Sequence, residues 1–271
     1  MDLDDAYQNA AHIPDGDSFP DRWADAARAH REVEASIGRA RLNTPYGAAE
    51  RERLDLFHPA GRAEGLVVFF HGGYWISMDR SYWSHLAAGA TARGWAVAVP
   101  SYPLAPEVVV PEITRATARA VEVAAAFVNG PIVAVGHSAG GHLAARLANP
   151  DSQLAPDIAT RIVRILPISP VADLRPLLRT SMNAELGLTD ATAERESPAL
   201  LPRVLDADVR VWVGADERPA FLEQARALST AWSVPLSVEP GRHHFDVIDS
   251  LSEPDGGLTR ALLDGIKGPV F

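Results

Sequence analysis

The sequence predicts an α/β fold in which helices cover both faces of a mostly parallel β-sheet. Several short apolar runs are rich in valine and isoleucine and lack polar alternation, which is typical of strands buried on both faces. Helix-length segments separate these runs, as expected for strand–helix–strand units. The chain of 271 residues is 47% hydrophobic and contains no evident linker or repeat, so we expect a single domain spanning residues 1–271.

The individual elements are predicted in chain order. Residues 1–20 are polar and contain two prolines, which predicts an irregular lead-in before a helix that starts at Asp21. Residues 51–59 alternate apolar and polar side chains, which predicts a half-buried antiparallel strand near a sheet edge. Buried strands are predicted at 66–70, 95–100, 131–136, 161–169 and 208–214, with one more strand at 234–240. Helices are predicted at 80–93, 111–128, 140–149 and 218–232, with a closing helical segment at 246–266.

Residues 170–206 interrupt the alternation of strands and helices. They contain several prolines and only weak helical patterns, although they stand between two predicted strands. We expect a cap-like insertion over the carboxyl edge of the sheet, where sites lie in folds of this class. The insertion would then act as a lid or as a wall of the pocket, with an irregular surface loop as the alternative.

Composition excludes several classes of function. The chain has no cysteine, which excludes a thiol nucleophile and thiolate metal sites, and its single lysine is Lys267. The net charge of −10 and the absence of a basic run argue against nucleic-acid binding. No apolar run reaches the roughly 18 residues of a membrane span, and the acidic N-terminus lacks the apolar region of a signal peptide. We therefore expect a cytoplasmic protein that needs no metal and no cofactor.

Ser138 is the candidate nucleophile. It is the central residue of Gly136-His137-Ser138-Ala139-Gly140, a G-x-S-x-G pattern that follows a predicted strand and precedes a predicted helix. Glycines allow the tight strand-to-helix turn that exposes such a serine. A serine nucleophile also needs a base, an orienting acid and donors for the oxyanion, and the sequence offers a candidate for each.

The segment FFHGGYW, residues 69–75, directly follows a predicted strand and supplies candidate oxyanion donors. Consecutive glycines let backbone N–H groups approach a substrate closely, so we expect the amides of Gly73 and Tyr74 to act together with that of Ala139. His71 precedes the turn and is expected to hold the loop rather than to act as a base.

The candidate base and acid lie near the end of the chain, in the order that hydrolases of this fold use. His243 and His244 follow the last predicted strand, and His244 is preferred because apolar residues after it would anchor its loop. Asp216 and Glu217 follow the strand at 208–214, and either carboxylate could reach a histidine from this loop.

These motifs together resemble the α/β-hydrolase superfamily. HGGYW, GHSAGGH, ERPAF and HHF are most similar to the kynurenine formamidase (arylformamidase) group, near the hormone-sensitive-lipase-like esterases, and the resemblance covers about residues 46–249. GHSAGG is typical of the whole superfamily, whereas HGGYW with the ERPAF segment is more specific. Alignment with the group favours Glu217 as the acid, while counting from Gly214 as in the esterases favours Asp216.

The resemblance implies hydrolysis of N-formyl-L-kynurenine to L-kynurenine and formate, through an acyl-enzyme on Ser138. Trp75 and Tyr102, with Tyr74, would line a pocket for the aryl group of this small-molecule substrate. A homodimer is expected from the family alone. The alternatives are a general carboxylesterase for short-chain acyl esters, with the same machinery, and a non-catalytic binding protein of the same fold.

Overall fold

The computed structural model describes residues 3–266 and contains one continuous, mostly parallel β-sheet. The strand order is β1-β2-β4-β3-β5-β6-β8-β9, and β7 pairs with β6. The pairs β1–β2 and β2–β4 are antiparallel, and every other pair is parallel. The strands are β1 Ala40–Pro45, β2 Arg53–Phe57, β3 Leu66–Phe70, β4 Ala96–Pro100, β5 Ile132–His137, β6 Ile162–Ile168, β7 Asp208–Val209, β8 Val211–Gly214 and β9 Leu236–Glu239.

Helices precede the first strand, occupy most of the connections after β3 and follow the last strand. The α-helices are α1 Leu3–Tyr7, α2 Phe19–Ser36, α3 Ala88–Ala92, α4 Val110–Ala125, α5 Ala139–Arg146, α6 Pro156–Ala159, α7 Asn183–Leu186, α8 Asp190–Arg195, α9 Pro219–Trp232 and α10 Gly257–Leu263. Short 3-10 helices lie at Ala10–His12, Gly16–Ser18, Arg80–Tyr82, Ser84–Ala87, Arg175–Arg179, Pro198–Leu200 and Asp249–Ser252. Within residues 3–266, no helix is both long and apolar enough to span a membrane.

The sheet separates two hydrophobic clusters. In β3, Leu66, Val68 and Phe70 belong to one cluster, while Val67 and Phe69 belong to the other. Successive strand residues point to opposite faces, so a strand buried on both sides needs apolar residues at every position. Helices α4, α5 and α9 pack on the first face, and α2 and α10 pack on the second. The predicted α/β fold with helices on both faces is therefore confirmed.

Several details differ from the sequence-based predictions. The helix at Asp21 begins earlier, at Phe19, and ends at Ser36, because Gly38 has a φ of 71°. Strand β1 follows it and was missed, because an exposed edge strand buries little apolar surface. The segment at 80–93 consists of two short 3-10 helices followed by α3, and the closing segment at 246–266 consists of one 3-10 turn and α10. The lead-in contains α1, which contributes to the cavity described below.

Candidate active site

Ser138 stands at the turn between β5 and α5, at the carboxyl edge of the sheet. Its φ of 57° and ψ of −118° are unusual for a residue with a side chain, and such strain is typical of a functional turn. Glycines are required around it: a Cβ on Gly136 would lie 2.0 Å from the Gly140 oxygen, and a Cβ on Gly140 would lie 1.9 Å from the Phe70 oxygen. The close approach of β3, β5 and α5 therefore forms the turn.

The turn His71-Gly72-Gly73, called the HGG turn below, lies directly against Ser138. The reason is that β3 and β5 are neighbouring strands, with Phe70 opposite Gly136. A Cβ on Gly72 would be 3.2 Å from the Ser138 Cβ. Gly73 has a φ of 108° and Tyr74 a φ of 51°, so the backbone turns sharply here. Within residues 3–266, the amides of Gly73, Tyr74 and Ala139 donate no hydrogen bond, which leaves them available to an oxyanion.

His71 lies behind this turn. The His71 Nδ1–H group donates to the Gly72 carbonyl oxygen at 2.7 Å, and the ring stacks on Tyr102 at 4.2 Å. Burial lowers the pKa of His71 to about 4, so the ring is neutral at pH 7 and holds the loop, as expected.

Trp75 and Tyr102 belong to the support of the turn rather than to the cavity, and this corrects their predicted place in an aryl pocket. Trp75 is 0% exposed and packs edge-on against His142. Tyr102 is 1% exposed and donates its hydroxyl to the His71 carbonyl oxygen at 2.8 Å. Trp75 has a φ of 59°, and neither side chain reaches the cavity lining.

His244 and Glu217 form a buried pair. The Nδ1 atom of His244 lies 2.6 Å from Oε2 of Glu217, and the two residues are 3% and 6% exposed. Asp216 is exposed, and its described contact is a backbone hydrogen bond to the Arg242 carbonyl oxygen. His243 packs against Phe19, and its Nδ1 faces the backbone amide of Phe245 at 3.1 Å. The geometry therefore pairs His244 with Glu217. Asp216, the alternative acid, and His243, the alternative base, are not part of this pair.

Two further residues hold this pair, and sequence reasoning did not identify them. His137 donates its Nε2–H group to the His244 carbonyl oxygen at 2.8 Å, and burial lowers the pKa of His137 well below its ordinary value. Ser169 donates its hydroxyl to Oε1 of Glu217 at 2.5 Å. The available signals were positional: His137 precedes Ser138, and Ser169 directly follows β6 at the carboxyl edge of the sheet.

A cavity of about 470 Å³ opens beside Ser138 and His244. Aromatic rings form much of its wall. The ring centroids of Trp23 and Phe245 are 5.2 Å apart, and those of Trp23 and Trp83 are 4.7 Å apart. The lining residues are Asp4, Tyr7, Gln8, Asn9, Ala10, Trp23, Gly72, Gly73, Tyr74, Ser77, Met78, Trp83, His137, Ser138, Ser181, Met182, His244 and Phe245. Residues 181 and 182, which lie within the segment 170–206, are part of this wall. The aromatic residues come from three separate segments, so no local motif could reveal them.

The segment around α1 is fixed in place as one wall of the cavity. Asp5 forms an ion pair with Arg218 at 2.5 Å, and Tyr7 accepts a hydrogen bond from Gln224 at 2.7 Å. Tyr74 donates its hydroxyl to the Tyr7 carbonyl oxygen. The wall is therefore tied both to α9 and to the HGG turn. Within residues 3–266, no cluster of three or more histidines, cysteines or carboxylates is arranged to hold a metal ion.

The comparison with known families identifies the class. The alpha/beta hydrolase fold family matches residues 67–227, and this chain belongs to that family. It is a hydrolase, which sets aside the alternative of a non-catalytic binding protein.

The chain is similar to two curated relatives and to two crystal structures. The kynurenine formamidase of Danio rerio is 30% identical over 274 residues, covering 90% of this chain and 92% of that protein. The kynurenine formamidase of Salmo salar is 30% identical over 250 residues, covering 86% of this chain and 84% of that protein. A crystal structure from Silicibacter sp. TM1040, described as a candidate thioesterase, has a TM-score of 0.94 at 49% identity, covering 97% of this chain and 99% of that one. An esterase of Pyrobaculum calidifontis, with a TM-score of 0.66, 20% identity and 90% coverage of both chains, shares the fold.

Proposed function

We propose that this hydrolase cleaves an aryl formamide, N-formyl-L-kynurenine, to L-kynurenine and formate through an acyl-enzyme on Ser138. The observation that carries the proposal is the 2.6 Å contact between His244 and Glu217 at the cavity that Ser138 also lines. The kynurenine formamidases among its relatives support the choice of substrate.

In the first half-reaction, the Ser138 hydroxyl attacks the formyl carbon and His244 takes the hydroxyl proton at Nε2. Glu217 accepts the Nδ1–H group, which fixes the tautomer and the orientation of the ring. The unpaired amides of Gly73, Tyr74 and Ala139 hold the oxyanion. The C–N bond then breaks as His244 returns the proton to the arylamine, and the formyl group remains on Ser138 as an ester.

In the second half-reaction, water repeats the attack on the formyl ester. His244 removes a proton from the water, the ester C–O bond breaks, and the proton returns to the Ser138 oxygen.

The aromatic wall of Trp23, Trp83 and Phe245 holds the aryl leaving group by stacking and edge contacts.

A general esterase activity is the second candidate. It would use the same nucleophile, base and oxyanion donors, because ester and formamide cleavage pass through similar tetrahedral intermediates. The 49% identity to the structure described as a candidate thioesterase supports oxygen esters and thioesters as alternative substrates. The expected homodimer and cytoplasmic location stay predictions.

The test is a comparison of kcat/KM on N-formyl-L-kynurenine, p-nitrophenyl acetate and an aryl thioester, each measured with the native protein and with Ser138→Ala. We expect the formamide to be the best substrate and Ser138→Ala to lose every activity. A preference of several orders of magnitude for an ester or thioester would assign the second function. Full activity of Ser138→Ala would contradict both.

A further inference from the structure

Ser169 occupies a special place beside the proposed acid. It directly follows β6, the strand that separates β5, which leads to Ser138, from β8, which leads to Glu217. Ser169 is 0% exposed, and its φ of 47° lies in the left-handed region. Its N–H group donates to the Trp212 carbonyl oxygen at 2.7 Å, which ties this backbone to β8. A residue with a side chain adopts this conformation only where its surroundings enforce it.

The hydroxyl of Ser169 completes the hydrogen bonding of Glu217. The Oε1 atom accepts from Ser169 at 2.5 Å and from the Gly214 amide at 2.8 Å, while Oε2 faces His244 at 2.6 Å. The two oxygens therefore have different tasks, and Oε1 anchors the group while Oε2 meets the histidine. A glutamate has one more rotatable bond than an aspartate, so it needs such an anchor to present one oxygen to the ring in a fixed direction.

The anchor also stabilises a buried charge. Glu217 is 6% exposed, and among residues 3–266 its ion-pair partner is His244 and not an arginine. A carboxylate that is removed from water without a nearby cation depends on its hydrogen-bond donors. Ser169 supplies one of three such donors here.

We propose that Ser169 is a positioning residue that acts on catalysis through Glu217 and His244. This inference rests on the proposed roles of those two residues. Ser169 does not line the cavity, so it affects the chemical step and leaves substrate binding unchanged.

The test is the substitution Ser169→Ala, which removes the hydroxyl and keeps the Cβ, so the backbone strain at φ 47° is the same. A hydrogen bond to a charged group contributes enough that we expect kcat to fall about 10- to 100-fold. KM should stay within about twofold of the native value. The matched control is Ser197→Ala, a buried serine whose hydroxyl donates to the Ala193 carbonyl oxygen at 2.6 Å, away from the cavity, and it should keep its kcat.

A double-mutant cycle with Glu217→Gln separates positioning from a general structural role. If Ser169 acts through Glu217, Ser169→Ala should lower kcat by less than about threefold in the Glu217→Gln background. Equal fold losses in both backgrounds, an unchanged kcat in the single variant, or a loss confined to KM would each overturn the proposal.

Ser169→Cys provides an independent variant should Ser169→Ala not fold. Its thiol fills the same space but donates weakly, so we expect a kcat below the native value at an unchanged KM. A cysteine variant with native kcat would overturn the inference. All rates are measured on N-formyl-L-kynurenine and on p-nitrophenyl acetate. If Ser138→Ala retains activity, the proposed function fails, and if Glu217→Gln retains full activity, the role of Glu217 as the acid fails. A loss of activity in Glu217→Gln together with native kcat in both Ser169 variants contradicts only the role of Ser169.

Discussion

Replacing Glu217 by glutamine tests which carboxylate orients His244. The side chain keeps its shape, but one oxygen becomes an NH₂ group, and the structure dictates where that group must lie. At the Oε1 position it would face the Gly214 amide, which is also a donor, at 2.8 Å. The NH₂ group therefore turns toward Nδ1 of His244, which must then accept a hydrogen bond and carry its proton on Nε2.

That tautomer cannot take a proton from Ser138. The same exchange of a triad carboxylate for an amide in a serine protease lowers kcat about 10⁴-fold, so we expect a loss of about 10³- to 10⁴-fold here. This corresponds to about 4 to 5.5 kcal/mol of transition-state stabilisation. The matched control is Asp216→Asn, because Asp216 is exposed and does not contact His244, and its activity should stay within about twofold.

The assay is steady-state hydrolysis of N-formyl-L-kynurenine and p-nitrophenyl acetate at pH 7.5, with thermal unfolding measured on each variant. If Asp216→Asn lost more activity than Glu217→Gln at similar stability, the assignment of the acid from this geometry would be refuted.

Three more predictions follow from burial and charge. Burial lowers the pKa of several histidines, among them His71 to about 4, His85 to about 4 and His142 to about 3. Below pH 6.5 the unfolded chain therefore binds more protons than the folded chain. We expect the free energy of unfolding, measured with denaturant, to be about 4 kcal/mol lower at pH 5.5 than at pH 7.5. An equal free energy of unfolding at both pH values would contradict this. The cavity lining described within residues 3–266 carries one charged side chain, Asp4, so an N-formylkynurenine analogue without the carboxylate should show an equal or higher kcat/KM, and a marked preference for the carboxylated substrate would contradict this. Asp5→Asn removes the exposed ion pair to Arg218 and should raise KM about two- to fivefold without changing kcat, whereas a fall in kcat alone would show that the α1 segment does not act as a binding wall.

The sequence predicted the parts of the fold and site that local patterns encode. Buried parallel strands require unbroken apolar runs, so the positions of these runs in the sequence were enough to locate β3, β4, β5 and β6. Ser138 was evident because its turn needs glycines at short spacing. The exposed edge strand β1 has no such requirement, which explains why it was missed.

The parts that depend on tertiary packing could not be predicted in this way. Trp23, Trp83 and Phe245 belong to three distant segments and meet only in the folded chain. Trp75 stood beside the candidate oxyanion residues in sequence, but its φ of 59° belongs to a turn that buries the ring against His142. Residue-level reasoning also left Asp216 and Glu217 equivalent, because the direction of each side chain is set by the turn after β8 and by Ser169.

The most direct test of the proposed chemistry is to label the nucleophile covalently with a stable mimic of the tetrahedral intermediate. The protein is treated with a p-nitrophenyl phosphonate ester, which transfers a stable phosphonyl group to an activated serine, and the adduct is located by peptide mass spectrometry. We predict one adduct per chain on Ser138, none in Ser138→Ala, and slow labelling in Glu217→Gln. Labelling at another residue, or equal labelling of Ser138→Ala, would contradict the assignment of Ser138 as the nucleophile.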